Sequence, residues 1–313
     1  EVERIELNRI EDNGSMDGGP AAVSPHAKQR GRDQLATLGG GNHFVEFQIV
    51  EEIRDVKIAR RFGLFQGQLL VMIHSGSRGL GHQVGSEFMK QAQKQYGSEG
   101  AVPFLPLDSK SGEAYVGAMQ SAANYAFANR HLMGVLAKGN ILHHYPDATV
   151  NLVYDVPHNI AKFESHEGRN LLVHRKGATR SFGPARMRDT SFADPGQPVL
   201  IPGSMGTSSY ILSGVDNVER ALASVNHGAG RVMSRTEARG KTKGGKTVRK
   251  AAISDRDFDE AMEGVLLICE SKRAVRDEAP QAYKDIDVVM DTVLGAGLAN
   301  AVVRTRPVAV LKG

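Results

Sequence analysis

The sequence predicts an α+β fold, and three observations carry that reading. Short apolar runs of strand length recur along the chain. Two longer stretches rich in Ala, Met, Gln and Leu, 82–98 and 112–144, read as helices. Glycine-rich turns punctuate the runs. With 313 residues the chain can bury a sizeable core, and no repeat or linker divides it. The expectation is one domain spanning 1–313, with a helical insertion at about 82–148.

Taken in order, residues 1–30 are polar, with Asn-Gly and Asp-Gly-Gly turns, and read as loops with at most one strand. Gly39-Gly40-Gly41 leads into Asn42-His43-Phe44-Val45-Glu46-Phe47, where apolar and polar residues alternate as in a strand entered from a glycine loop. Gln68 to His74 is a continuous apolar run ending at a histidine, which reads as a buried strand. Ser75-Gly76-Ser77-Arg78-Gly79-Leu80-Gly81 follows as a second glycine-rich turn. Further strands are expected at Val150–Val156, ending at Pro157-His158, at Leu171–Lys176 and at Pro198–Ile201. Residues 256–275 and 280–303, the latter opening at Pro280, read as helices, and Val308–Leu311 as a closing strand.

Composition narrows the class. Apolar residues make up 41% and charged residues 24%, as in soluble globular chains. The net charge of +4 is too mild to name a nucleic-acid partner. Its distribution says more. Eight Lys or Arg (Arg231, Arg235, Arg239, Lys241, Lys243, Lys246, Arg249, Lys250) stand against Glu237 alone within 231–250, which fits either a solvated loop or a phosphate-facing strip. The single cysteine, Cys269, excludes a disulfide framework and a cysteine-based zinc site. It fits a reducing compartment, and the expected location is cytoplasmic. No apolar run approaches the ~18 residues of a membrane span, and no signal peptide is visible. Cys269 itself reads as a core residue in a helical context.

Among eleven histidines, His43, His74 and His158 each sit at a strand–turn junction beside small or polar residues. A histidine there is held by the sheet while its ring faces a loop cleft, and several such rings can converge on one metal. Any one taken alone fits a satisfied or surface histidine better; all three in such a setting shift the balance toward a metal. His227 lies in Asn226-His227-Gly228-Ala229-Gly230-Arg231. That context fits the opening turn of a helix. It also fits a phosphate contact or nucleophile, because a neutral imidazole can attack phosphorus. Four glycine-rich segments, 39–41, 76–81, Pro202–Ser209 and 228–230, expose backbone N–H groups that can cradle phosphate. Two are followed by an arginine, Arg78 and Arg231, suited to forked phosphate contacts. None matches the P-loop or the dinucleotide fingerprint. The residues alone reach a metal-assisted enzyme acting on a phosphorylated substrate.

Six segments, in order, resemble the signature motifs of the RtcB family of RNA-splicing ligases. They are Leu38-Gly39-Gly40-Gly41-Asn42-His43-Phe44-Val45-Glu46, His74-Ser75-Gly76-Ser77-Arg78-Gly79, Pro157-His158-Asn159-Ile160-Ala161-Lys162, His174-Arg175-Lys176-Gly177-Ala178-Thr179-Arg180, Pro202-Gly203-Ser204-Met205-Gly206-Thr207 and Asn226-His227-Gly228-Ala229-Gly230-Arg231. Val310-Leu311-Lys312-Gly313 is similar to the family's C-terminus. The resemblance implies a large α+β domain with a mixed or antiparallel sheet core. It implies a GTP- and Mn²⁺-dependent ligase joining an RNA 3′-phosphate or 2′,3′-cyclic phosphate to a 5′-hydroxyl, in tRNA splicing or RNA repair. His227 matches the histidine that takes GMP from GTP and passes it to the RNA 3′-phosphate. His43, His74 and His158 match manganese ligands, two ions occupying the complete family site. Asn42, Glu46, Ser204, Gly206, Gly228, Gly230, Lys176 and Lys312 match the nucleotide site, and Arg78 and Arg231 the RNA phosphate. The implied partners are RNA ends such as tRNA halves, and archease, with no membrane.

One departure stands out. The family's metal site also uses an Asp and a bridging Cys from an Asp-x-Gly-Cys-Gly-like segment upstream of Gly-Gly-Gly-Asn-His, and this chain has no such segment. With Glu1 as the first residue, the expectation is that the N-terminal portion is missing. Two other functions compete with an active ligase. One is a catalytically silent RNA- or nucleotide-binding relative using the 231–250 strip. The other is a metal-dependent phosphoesterase that needs no GTP.

Overall fold

A computed structural model describes residues 4–97, 102–244 and 246–313. The fold is α+β, and the chain divides into two compact units: Glu1–Gly39 with Ile73–Leu152, and Gly40–Met72 with Val153–Gly313.

The first unit is helical. Helix α1 (Pro25–Gly31) starts where Ser24 accepts the Ala27 N–H and Pro25 supplies a preset first turn. Helix α2 (Arg78–Tyr96) buries Val84, Phe88 and Ala92, spaced by four, so one apolar stripe faces inward. That stripe packs with Val23, Ala27 and Ala118. Helix α3 (Lys110–His144) is 35 residues long, and Ser109 caps it by accepting the Gly112 N–H. The expected loop-or-strand at 1–30 is instead helical in part, with Arg4–Leu7 and α1. The Ser24-Pro25 pair was the overlooked start signal.

The second unit holds a six-stranded sheet. Its strands are β1 (Phe44–Ile53), β2 (Leu69–His74), β3 (Pro198–Ile201), β4 (Ser209–Gly214), β5 (Leu266–Ile268) and β6 (Ala299–Leu311). The order is β2-β1-β6-β4-β3. β6 pairs antiparallel with β1 and β4, β3 pairs antiparallel with β4, and β5 runs parallel to β6, so the sheet is mixed. Smaller ladders join Asn159–His166 to Arg169–Lys176, Ala178–Arg180 to Ser224–Asn226, and Lys241–Lys243 to Lys246–Arg249. Helices α4 (Arg235–Arg239), α5 (Asp255–Ala261) and α6 (Ile286–Gly295) lie in the same unit, with the short helices Val56–Phe62 and Lys272–Val275. One core gathers Val50, Phe62, Phe192 and Val303; a second sets Ile201, Tyr210 and Leu212 against Met290 of α6; a third sets Phe258 of α5 against Val310.

Three expectations need correction. Val150–Val156 is not a strand; within it only Asp155 forms a bridge. Tyr154 and Val156 are buried in the first core as single extended chain, so packing alone accounts for their apolar alternation. The helix expected over 256–275 is interrupted: it runs to Ala261 and resumes only at Lys272–Val275. Gly264 adopts φ +77°, and Leu266–Ile268 then joins the sheet beside β6. Cys269 therefore follows a strand and is half-buried against the third core. The helix expected over 280–303 is a 3-10 turn at Pro280–Ala282 followed by α6. Gly297, at φ +65°, turns the chain into β6, which has 13 residues rather than the four expected. Residue 98, the expected end of the first long helix, lies outside the described residues.

Candidate functional site

In the sheet unit, β1 arrives from the glycine turn with Asn42 exposed and His43 half-buried just before it. Along β1 the fully buried positions are Glu46, Gln48 and Val50. Glu46 is 3% exposed and Gln48 1%. Gln48 Nε2 donates to Glu46 Oε1 at 2.5 Å and to Ser209 Oγ at 3.1 Å, while Gln48 Oε1 accepts from Thr305 Oγ1 at 2.8 Å. Burial pushes the Glu46 carboxyl up to about 8, opposed by the Gln48 hydrogen bond and by the Lys312 charge.

Ser209 Oγ also accepts the Gly203 N–H at 3.1 Å. This anchors the loop that carries Ser204 and Gly206. Within the loop, Thr207 Oγ1 accepts the Ser204 N–H at 2.8 Å and lies 3.0 Å from Ser204 Oγ. Gly206 is required by packing, because a Cβ there would collide with the Ala261 carbonyl at the end of α5.

Pro202, at the start of that loop, also meets the His227 segment: a Cβ on Gly228 would lie 3.2 Å from the Pro202 carbonyl oxygen. His227 follows the strand Ser224–Asn226, so it does not open a helix. Its imidazole stacks on that of His158, with centroids 3.6 Å apart and planes 9° from parallel. The two main chains are joined through Gly177, whose N–H donates to the His158 carbonyl at 3.0 Å and whose carbonyl accepts the His227 N–H at 3.1 Å. Gly177 has φ +65°, a conformation that favours glycine. His158 therefore begins the hairpin Asn159–His166 rather than ending a strand. Lys176 is exposed, with Nζ 3.4 Å from Asn159 Oδ1.

Beyond Gly230, at φ +78°, Arg231 turns back into the protein. Its Nε donates to the Met233 carbonyl at 3.0 Å, and its two Nη atoms reach Glu278 Oε1 at 3.3 Å, Tyr283 Oη at 3.0 Å and the Asp277 carbonyl at 2.5 Å. Arg235 Nε shares Glu278 Oε1 at 3.1 Å, and Arg239 lies 3.6 Å from Asp277 Oδ2. Asp277 and Glu278 are both buried. Part of the basic strip is thus neutralised internally. Lys312 Nζ donates to the Gly41 carbonyl at 2.8 Å and is buried, which lowers its pKa. The contacts join Glu46, the Ser204 loop, Gly228, His227 and His158 in one continuous chain, with Lys312 beside Gly41.

In the helical unit, His74 is followed by Ser75, whose Oγ donates to the Leu38 carbonyl at 2.8 Å. Asn129, fully buried on α3, donates to the Thr37 carbonyl at 3.1 Å, Ser75 Oγ at 3.1 Å and the Gly76 carbonyl at 3.2 Å, and accepts the Thr37 N–H at 3.0 Å. Arg78, at φ +52°, donates Nε to Thr37 Oγ1 at 3.0 Å, and its guanidinium occupies the space a Cβ on Gly39 would need. Sequence reasoning missed Asn129, Gln48, Glu278 and Tyr283. Asn129, followed directly by Arg130 and His131 in the long helix, carries no local signal of its burial.

The family model described as "tRNA-splicing ligase RtcB" matches residues 2–313. The tRNA-splicing ligase RtcB of Pyrococcus furiosus is 44% identical over 327 aligned positions, covering 98% of this chain and 33% of that protein. Its namesake from Thermococcus kodakarensis is 43% identical, covering 98% of this chain and 66% of its own length. That of Aeropyrum pernix is 42% identical, with 97% and 65% covered. The chain belongs to the RtcB family. It spans between about a third and two thirds of the length of these curated relatives. Among the described residues, no helix is long and apolar enough to cross a membrane.

Proposed function

We propose that this chain carries the nucleotidyl-transfer centre of an RNA ligase that joins an RNA 3′-phosphate or 2′,3′-cyclic phosphate to a 5′-hydroxyl, in tRNA splicing or repair. The observation that carries the reading is the His158–His227 stack, whose two main chains are joined through the N–H and the carbonyl of Gly177. An imidazole held this way presents a ring nitrogen with little entropy left to lose. On this reading His227 attacks the α-phosphorus of GTP. The N–P bond forms and pyrophosphate leaves. GMP then passes to the RNA 3′-phosphate as that N–P bond breaks and a P–O bond forms. The 5′-hydroxyl oxygen attacks the activated 3′ phosphorus and GMP departs.

Asn42, Glu46, Ser204, Gly206, Gly228, Gly230, Lys176 and Lys312 would bind the nucleotide. Arg78 and Arg231 would meet RNA phosphates, Arg231 by exchanging its Glu278 partner for one. His43, His74 and His158 would hold manganese. Imidazole nitrogens suit a first-row divalent cation, which when bound supplies positive charge to phosphate oxygens. The expected partners are RNA ends and archease.

Incubation with α-labelled GTP and Mn²⁺, followed by denaturation, tests this. Acid-labile, alkali-stable label lost in His227→Ala supports the reading. If the 313-residue chain takes no label, the assay is repeated on a chain extended by an upstream Asp- and Cys-bearing segment. Label then identifies an incomplete metal site, and its continued absence identifies a silent nucleotide-binding relative.

A further inference from the structure

Gln48 lies inside the sheet, and every polar atom of its side chain is engaged. It sits on β1, Thr305 on the adjacent β6 and Ser209 on β4 beyond it, so the three side chains form a polar rung across three neighbouring strands. All three are at most 1% exposed. Thr305 Oγ1 also approaches the Ser209 carbonyl at 3.2 Å, which fixes the rung from a second side. A buried amide in this position has one low-energy orientation, because flipping it would set Nε2 against the Thr305 donor and Oε1 against the Glu46 carboxyl.

The rung reaches two places at once. One amide proton of Gln48 holds Glu46 Oε1; the other reaches Ser209 Oγ, which itself receives the Gly203 N–H at the root of the Ser204 loop. A guanine base offers two adjacent donors on its Watson–Crick edge, N1–H and the 2-amino group, and a carboxylate is the side chain that accepts both. Such a carboxylate must be correctly rotated. The Gln48 donor to Glu46 Oε1 fixes that rotation, and the two guanine donors would favour the ionised form over the protonated form that burial favours.

We propose that Gln48 is a positioning residue for base selectivity, holding Glu46 and the Ser204 loop in a single register so that the site prefers guanine. The inference rests on the nucleotide-binding reading given above. Gln48 touches no ligand itself and acts through Glu46 and Ser209.

The test compares GTP and ITP binding by the 313-residue chain and its Gln48→Leu variant, using competition against a fluorescent nucleotide. ITP lacks only the 2-amino group, so the GTP-to-ITP affinity ratio reports the base-edge contact, whereas general loosening of the fold weakens both nucleotides alike. The expected result is a wild-type preference for GTP of tenfold or more, falling to within about threefold of unity in Gln48→Leu. Should Gln48→Leu fail to fold, Thr305→Val removes the donor to Gln48 Oε1 with little change of shape and should lower the ratio, while Thr305→Ser restores it. A folded variant that keeps the wild-type ratio overturns the role of Gln48 and leaves the nucleotide site standing. A wild-type chain that binds neither nucleotide overturns both.

Discussion

The imidazole rings of His158 and His227 lie face to face, 3.6 Å apart, and the peptide of Gly177 is hydrogen-bonded to both residues. A side chain at Gly177 would meet nothing within 4 Å, so its cost is conformational rather than steric. Gly177→Ala should destabilise the protein by about 1–2 kcal/mol and lower GMP labelling of His227. Gly168→Ala is the control: φ there is +76° and the space is also open, but the residue lies at the far turn of the same hairpin. Both variants should lose similar stability in chemical denaturation, and only Gly177→Ala should lose label.

Glu46 gives stability a pH dependence of definite sign. Its carboxyl is pushed from 4.5 to about 8 by burial. Between these values the folded chain holds a proton that the unfolded chain releases. The contribution is fully present below pH 4.5 and is lost as pH rises through 8. Glu46→Gln should flatten the fall, so the difference in denaturation midpoint between wild type and variant should change from pH 5 to pH 8. Parallel pH profiles for the two would show that Glu46 is ionised in the folded chain across this range.

Asn129 is a packing keystone of the helical unit. Replacing it with Leu leaves the Thr37 and Gly76 carbonyls without its donor. A loss of about 2–3 kcal/mol is expected, read by urea denaturation, with faster amide exchange at Thr37, whose N–H donates to Asn129 Oδ1. Unchanged protection at Thr37 would count against this assignment.

Gly206 is needed for close approach to Ala261 rather than for an unusual φ. Gly206→Ala should displace either the Ser204 loop or the end of α5 at a cost of about 1–3 kcal/mol. The expected readout is weaker nucleotide binding together with a lower melting temperature. Full binding at a lower melting temperature would place the displacement at α5.

Much of this was legible before the structure. Local composition marked α2 and α3, and the apolar run ending at His74 marked β2, because those signals depend on neighbours in sequence. Val150–Val156 misled because an extended chain buried by side-chain packing has the same alternation as a paired strand. The alternation along β1 marks a strand but not its most buried face: Glu46, Gln48 and Val50 are buried, while Val45, Phe47 and Ile49 are half-buried. The histidines were marked by their turns, whereas the Gln48 rung and the Glu278 hub join residues far apart in sequence and leave no local trace.

β6 stands between β1 and β4 in the sheet, and Val45 pairs with Leu311. During synthesis β1 pairs with β2 on one edge, but its other edge has no partner until residues 299–311 have cleared the ribosome. Assembly of the sheet is therefore largely a late event, with slow, long-range closure as its bottleneck.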